Sequence, residues 1–137
     1  MRPSRLPPRV PAEPPHIVGV HHVQVTVPTG AEYEARAFYV GVLGLTEVPK
    51  PAPLAGRGGL WLRAGDTELH VGVEDGVDRA ATRAHVAFAV ADLPVWRARL
   101  KSAGCVILES IPIPDHDRLE TRDPFGNRLE LITRREP

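Results

Sequence analysis

The stretch His22-Val23-Gln24-Val25-Thr26-Val27 alternates polar and apolar side chains, and His85-Val86-Ala87-Phe88-Ala89-Val90 repeats the alternation 63 residues later. A period of two is typical of a β-strand whose two faces meet different surroundings. Each stretch leads into a helical pattern that stops at a glycine, Gly44 in the first copy and Gly104 in the second. This recurrence of strand, helix and stop at similar spacing indicates an internal duplication.

Each copy of the repeat predicts the element order βαβββ. In the first copy, Thr29 and Glu32 form a candidate capping box at the helix start, and a hairpin is expected to turn at Gly65-Asp66. In the second copy, Asp92 is expected to cap the helix, and residues 111–117 are expected to form a loop. The other predicted strands cover residues 45–48, 60–64, 67–73, 105–108, 119–122 and 128–133.

The duplication predicts an α+β fold. Two tandem βαβββ modules are expected to form a curved mixed sheet around a concave cleft, with the helices on the outer face. We expect module 1 at about residues 18–75 and module 2 at about 83–134, within a single domain spanning 18–134. Residues 1–17 contain six of the 15 prolines and are predicted to be a disordered tail.

Composition argues against several classes of partner. The chain has 17 Lys+Arg and 17 Asp+Glu, so a formal net charge of zero gives no general attraction to nucleic acid or to an anionic membrane. No apolar run approaches the roughly 20 residues needed to span a bilayer. The single cysteine, Cys105, cannot form an intramolecular disulfide and favours a reducing, cytoplasmic location.

The polar face of the predicted sheet gathers imidazoles and carboxylates. Since alternate residues of a strand share a face, His22, Glu68, His70, His85 and Glu130 are expected on the same side. Carboxylates are rarely buried unless they are paired or bind a metal. Imidazole with carboxylate suits a borderline divalent cation, so we expect one metal ion, Zn, Ni, Mn, Co or Fe.

The donor from the fourth strand has two candidates. Glu68 precedes Glu130 by 62 residues and is the first choice, whereas His70 shares the same face and is an alternative ligand or a substrate contact. Alignment of the two glycine turns would instead match Glu130 with Leu69, so the register stays open by one residue. Strand parity argues against His21 as a ligand in place of His22.

Five segments of the chain together carry a resemblance to a known family. They are His22-Val23-Gln24-Val25, Ala37-Phe38-Tyr39 leading to Leu43-Gly44-Leu45, Glu68-Leu69-His70, His85-Val86-Ala87-Phe88, and Asp123-Pro124-Phe125-Gly126-Asn127-Arg128-Leu129-Glu130-Leu131. Over roughly residues 18–133 the chain resembles the vicinal oxygen chelate superfamily. That superfamily includes glyoxalases, fosfomycin-resistance thiol transferases, extradiol dioxygenases and bleomycin-binding proteins.

The resemblance implies metal ligation by His22, His85 and Glu130, with Glu68 at the position where glyoxalases carry a fourth protein ligand. It also implies that a metal-bound carboxylate, Glu130 or Glu68, is the catalytic base. Such a base removes a proton beside a carbonyl while the metal stabilises an enediolate-like or alkoxide oxygen.

The function implied is that of a metal-dependent lyase similar to lactoylglutathione lyase, or of a thiol transferase, acting on a small oxygen-rich electrophile. The alternatives are a non-enzymatic drug-binding protein of the bleomycin-resistance type and an Fe(II) extradiol-type dioxygenase. Thr26 and Gly72 stand where glutathione-using glyoxalases tend to carry a basic residue and an asparagine, so another thiol cosubstrate, or none, is expected. A homodimer is also expected, because an open sheet leaves exposed edges.

Further residues are expected to contact the substrate, and these are Gln24, Trp61, Arg63, His70 and Arg118. Arg118 precedes the predicted strand 119–122 and suits an anionic substrate oxygen. Cys105 is expected to be a small core residue, because no histidine partner is implied beside it.

Overall fold

The computed structural model describes residues 3–8 and 13–137. Module 1 contains β1 (His22–Val27), α1 (Glu32–Arg36), β2 (Thr46–Val48), β3 (Leu60–Ala64) and β4 (Thr67–Val73). Module 2 contains β5 (His85–Ala89), α2 (Leu93–Ser102), β6 (Leu108–Glu109), β7 (His116–Arg122) and β8 (Arg128–Arg134). Helix α1 continues as a π-helix over Ala37–Val42, and 3-10 turns cover Ala52–Arg57 and Arg79–Ala81.

The strands form two four-stranded mixed sheets with equivalent strand orders. Sheet 1 has the order β1-β4-β3-β2, and sheet 2 has the order β5-β8-β7-β6. In each sheet the first and last strands of the module pair in parallel, and the remaining pairs are antiparallel. The predicted α+β class and the duplicated βαβββ order are confirmed.

The apolar faces of both sheets and the helices contribute to one hydrophobic cluster. Leu62 and Leu69 of sheet 1 and Leu119, Leu129 and Leu131 of sheet 2 are at most 1 % exposed. Burial of one such side chain stabilises the fold by roughly 1.5–3 kcal/mol. Since successive residues of a strand point to opposite faces, the polar residues between these leucines point away from the cluster.

The segment with the strongest family resemblance forms a turn that joins the two modules. Asp123 is buried and accepts hydrogen bonds from the backbone of Phe125 (2.9 Å) and of Asn127 (2.8 Å). It also accepts a bond from the Tyr39 hydroxyl of module 1, at 2.6 Å. The Asn127 side chain donates to the Thr26 carbonyl at 2.9 Å. This turn therefore anchors the start of β8 against module 1.

The predicted helix caps have different outcomes. Asp92 caps α2, since its Oδ1 accepts from the Val95 backbone at 3.3 Å. The prediction of a capping box on α1 is wrong, because no side-chain hydrogen bond caps this helix. Thr29 donates instead to Asp75 across the module (N–Oδ1 2.9 Å), and Glu32 accepts from the backbone of Gly59 (3.1 Å). Long-range partners thus replace the local ones that the sequence suggested.

Two predicted boundaries in module 2 also need correction. The short strand expected at 105–108 is β6, Leu108–Glu109, and β7 begins at His116 rather than at residue 119. Residues 116 and 117, expected in a loop, and Arg118, expected just before the strand, are paired with β8 instead. Arg118 therefore lies within a strand.

The tail prediction is only partly within the described residues. Residues 3–8 and 13–17 form no helix or strand. Residues 1–2 and 9–12 lie outside the described part, so the disorder of 1–17 stays a prediction. No helix among residues 3–8 and 13–137 is long and apolar enough to cross a membrane.

Candidate functional site

Module 1 presents a stack of three aromatic rings on the polar face of sheet 1. The Trp61 and His70 rings lie 4.1 Å apart at 5°, and the His70 and His22 rings lie 4.1 Å apart at 16°. The β-ladders explain the arrangement, because Trp61 lies opposite His70 on β3, and His22 lies on the same face of β1 two residues before Gln24, the residue opposite His70. His70 is only 5 % exposed although it lies on the polar face. We call His22, Glu68 and His70 half-site 1.

The hydrogen bonds of half-site 1 indicate which ring atoms are free. His70 Nε2 lies 3.1 Å from Glu68 Oε1, and since an ionised carboxylate only accepts, Nε2 carries the proton. The Nδ1 atom of a neutral His70 then keeps its lone pair. This hydrogen bond is also the main cause that lowers the pKa of Glu68, which is therefore ionised at neutral pH.

Module 2 presents a histidine and a carboxylate, which we call half-site 2. His85 Nδ1 lies 2.9 Å from the Arg83 carbonyl, which can only accept, so Nδ1 is the protonated atom. The Nε2 atom of a neutral His85 then directs a lone pair toward Glu130 Oε2, 3.3 Å away. Two electron-rich atoms at this distance attract each other only through a cation, either a proton on the ring or a metal ion.

Glu130 has a second partner in Arg118. The Arg118 Nη1 atom lies 2.7 Å from Glu130 Oε1, and its Nε atom donates to the Ile111 carbonyl at 2.9 Å. Glu130 is only 5 % exposed, so its charge is compensated by this guanidinium rather than by water. This pair was not predicted from the sequence, because Arg118 was expected just outside a strand. A strand extended to residue 116 would have put both residues on the polar face.

The two ladders determine the register that the sequence left open. In sheet 1, His22 pairs with Glu68 and Gln24 with His70. In sheet 2, His85 pairs with Arg128 and Ala87 with Glu130. The residue equivalent to Glu130 is therefore His70, and the offset of 62 residues that favoured Glu68 does not hold.

The other predicted substrate contacts lie close to half-site 1. Gln24 covers Gly72, since a β-carbon at position 72 would lie 2.7 Å from Gln24 Nε2. Arg63 is exposed and pairs with Glu68 in the ladder between β3 and β4.

Cys105 is half-buried, and burial raises the pKa of its thiol, which argues against a role as a nucleophile.

The predicted residues do not converge within one chain. Among residues 3–8 and 13–137, no group of three or more His, Cys, Asp or Glu side chains has an arrangement that could hold a metal ion. Separate clefts contain different residues. Glu68 lines a mainly apolar cleft of about 500 Å³, Gln24 and His85 line a groove of about 460 Å³, and Arg118 lines one of about 310 Å³. Each half-site thus offers part of a donor set suited to a divalent cation.

The chain matches a family model and several solved structures. Residues 19–131 match the model of the Glyoxalase/Bleomycin resistance protein/Dioxygenase superfamily. A protein of Bacillus anthracis assigned to the glyoxalase family is 41% identical, with a TM-score of 0.84, and the match covers 90% of this chain and 100% of that one. A search of curated proteins found no match.

Two more distant structures share the fold. The fosfomycin resistance protein FosX of Listeria monocytogenes is 16% identical, with a TM-score of 0.69 and coverage of 86% of this chain and 94% of that one. The lactoylglutathione lyase of Agrobacterium tumefaciens is 19% identical, with a TM-score of 0.66 and coverage of 88% and 95%, respectively.

Proposed function

Since the chain belongs to the Glyoxalase/Bleomycin resistance protein/Dioxygenase superfamily, we propose that it is a divalent-metal-dependent enzyme of the glyoxalase or thiol-transferase type. Its substrate would be a small oxygen-rich electrophile. The observation that carries the proposal is the approach of His85 Nε2 to Glu130 Oε2 at 3.3 Å, with Nδ1 of the same ring held by a carbonyl. This arrangement suits a cation bound by both atoms.

Four side chains would hold the metal. His22, His85 and Glu130 are three of them, and the fourth comes from β4, either His70 through Nδ1 or Glu68. The register favours His70, which is the equivalent of Glu130. When bound, the metal would act as an electrophile that stabilises an enediolate-like or alkoxide oxygen.

A homodimer would complete the site. Within one chain each half-site supplies only part of the donor set, and both β1 and β5, which carry His22 and His85, are edge strands. We propose that half-site 1 of one copy faces half-site 2 of another, which the two-fold symmetry of a dimer would produce twice.

The carboxylates would move the proton. Glu130 has Oε1 bound to Arg118, which leaves Oε2 for the cation. Glu68 is ionised at neutral pH because the His70 hydrogen bond lowers its pKa, so Glu68 is able to accept a proton, although as a weaker base than a free carboxylate. A thiol cosubstrate would have to come from outside, since the half-buried Cys105 is not activated.

The second candidate is a drug-binding protein of the bleomycin-resistance type. The stack of Trp61, His70 and His22 supports it, because the exposed His22 ends a flat aromatic surface that a planar molecule could extend. No single-chain metal cluster is needed for such binding.

Metal analysis of the untagged protein tests the proposal. The protein is stripped with a chelator, reloaded separately with Zn²⁺, Ni²⁺, Mn²⁺, Co²⁺ and Fe²⁺, and analysed for metal per chain. We expect about one ion per chain with the preferred metal. No retention of any ion would contradict the proposal and favour the drug-binding function, and iron with oxygen consumption on catechols would indicate a dioxygenase.

A further inference from the structure

Arg118 is held at both ends of its guanidinium group. One amino group binds Glu130 at 2.7 Å, the Nε atom binds the Ile111 carbonyl at 2.9 Å, and the second amino group also contacts that carbonyl. The side chain is 18 % exposed, against 6 % for Glu130. A guanidinium fixed in this way has few donors left for a substrate.

The pair with Arg118 determines how Glu130 presents its oxygens. With Oε1 bound to the guanidinium, the carboxylate cannot rotate without breaking a charge-assisted hydrogen bond. Its other oxygen, Oε2, is thereby directed at His85 Nε2. The guanidinium also compensates the charge of a carboxylate whose side chain is only 6 % exposed.

We propose that Arg118 is a positioning residue that orients Glu130 for metal binding, and not the substrate contact that the sequence suggested. The Ile111 carbonyl, in the loop that precedes β7, fixes the guanidinium in turn. This inference rests on the proposed function, because it requires that Glu130 binds a metal.

Two effects of Arg118 on a metal ion oppose each other. Its charge repels the cation, whereas its hydrogen bond fixes the ligand. Because the guanidinium charge is already paired with Glu130, we expect orientation to dominate, and loss of such a partner typically weakens metal affinity by about 10- to 100-fold.

The test compares metal dissociation constants of the full-length protein, measured with Zn²⁺ against a chromophoric chelator. R118A is expected to weaken binding by about 10- to 100-fold, and R118K to recover part of the loss, because lysine restores the charge but not the planar fork. R122A is the matched control, since Arg122 shares the strand and face of Arg118 but binds the Gly126 carbonyl. Melting temperatures establish that each variant folds.

A visible spectrum of the Co²⁺-loaded protein separates positioning from a merely structural role. We expect R118K to change the ligand-field bands and R122A to leave them unchanged. If R118A and R118K have the same metal affinity and spectrum as R122A while E130A loses the metal, the inference about Arg118 is overturned and the proposed function stands. Retention of the metal by E130A, or no binding by the wild type, would overturn the inference together with the proposed function.

Discussion

Module 1 and module 2 have the same strand order and register, yet their polar faces carry different groups. Sheet 1 carries stacked rings, with His70 enclosed between Trp61 and His22. Sheet 2 carries ion pairs, in which Arg118 holds Glu130 and Arg128 lies 2.9 Å from Glu120. The duplicated backbone therefore fixes the positions of the polar residues, whereas the residue type at equivalent positions differs between the two modules.

The histidines that open β1 and β5 are common to both modules, whereas the β4 and β8 positions differ. His70 occupies the position on β4, and Glu130 occupies the equivalent position on β8. In our account both modules supply a histidine from their first strand, whereas β4 adds a nitrogen donor and β8 adds the carboxylate oxygen. The following experiments test this division, from the largest expected effect to the smallest.

Removal of the charged donor should have the largest effect. We expect E130A to weaken metal binding by more than about 100-fold while the fold is retained, because the variant loses the only carboxylate of half-site 2. Metal per chain and the melting temperature are the measurements. E120A is the control, since Glu120 lies on the same face but pairs with Arg128. Equal metal content in E130A and the wild type would refute the role of Glu130.

The second experiment compares the two candidates on β4. H70A should weaken metal binding by about 10- to 100-fold, and E68A by less than about 10-fold, because Glu68 would act through its hydrogen bond to His70. Chelator competition measures both. The reverse order would assign the fourth ligand to Glu68 and contradict the equivalence of His70 and Glu130.

The contact between the modules can be weakened without touching either half-site. Y39F removes the donor that reaches Asp123 across the modules and should cost about 1.5–3 kcal/mol in the free energy of unfolding. Urea titration at neutral pH measures it. A variant as stable as the wild type would show that the hydrogen bond is not needed for the junction.

The same tyrosine predicts a loss of stability in alkali. Burial, followed by the Asp123 charge, raises the pKa of the Tyr39 phenol well above its usual value. Its contribution is therefore complete below the unfolded pKa of about 10 and declines as the pH rises toward the folded pKa. Y39F should show a weaker decline above pH 10 than the wild type, and an identical decline would contradict this cause.

The smallest effect is expected at Gly72. G72A places a methyl group where Gln24 Nε2 lies, and a flexible amide can move aside, so stability should stay within about 1 kcal/mol of the wild type. Metal affinity should not change. A displaced Gln24 should appear instead as weaker binding of a substrate or drug, measured by titration. A changed metal affinity would show that Gln24 supports half-site 1.

The sequence predicts those features that follow from strand parity. Alternation in β1 and β5 was sufficient to assign His22 and His85 to the polar face, and the glycines at 44 and 104 mark the ends of both helical segments. Strand parity does not predict long-range contacts. Nothing near Thr29 indicates that Asp75, 46 residues away, replaces Glu32 as its partner.

The sequence matched Glu130 with Glu68, or with Leu69 when the two glycine turns are aligned, whereas the ladders match Glu130 with His70. Gly65-Asp66 joins β3 to β4 in two residues, whereas the turn between β7 and β8 covers residues 123–127. Gly65 and Gly126 therefore occupy different positions in their turns, and an alignment based on them shifts Glu130 away from His70. Only the hydrogen-bonded ladders correct the shift.

Co-expression of H22A with E130A tests most directly whether two copies share each site. Each single variant should bind almost no metal. If half-site 1 of one copy meets half-site 2 of the other, a mixed dimer contains one intact site, and random assembly should restore about a quarter of the wild-type metal content. No restoration in mixed dimers would contradict the account and assign both half-sites of a metal centre to one chain.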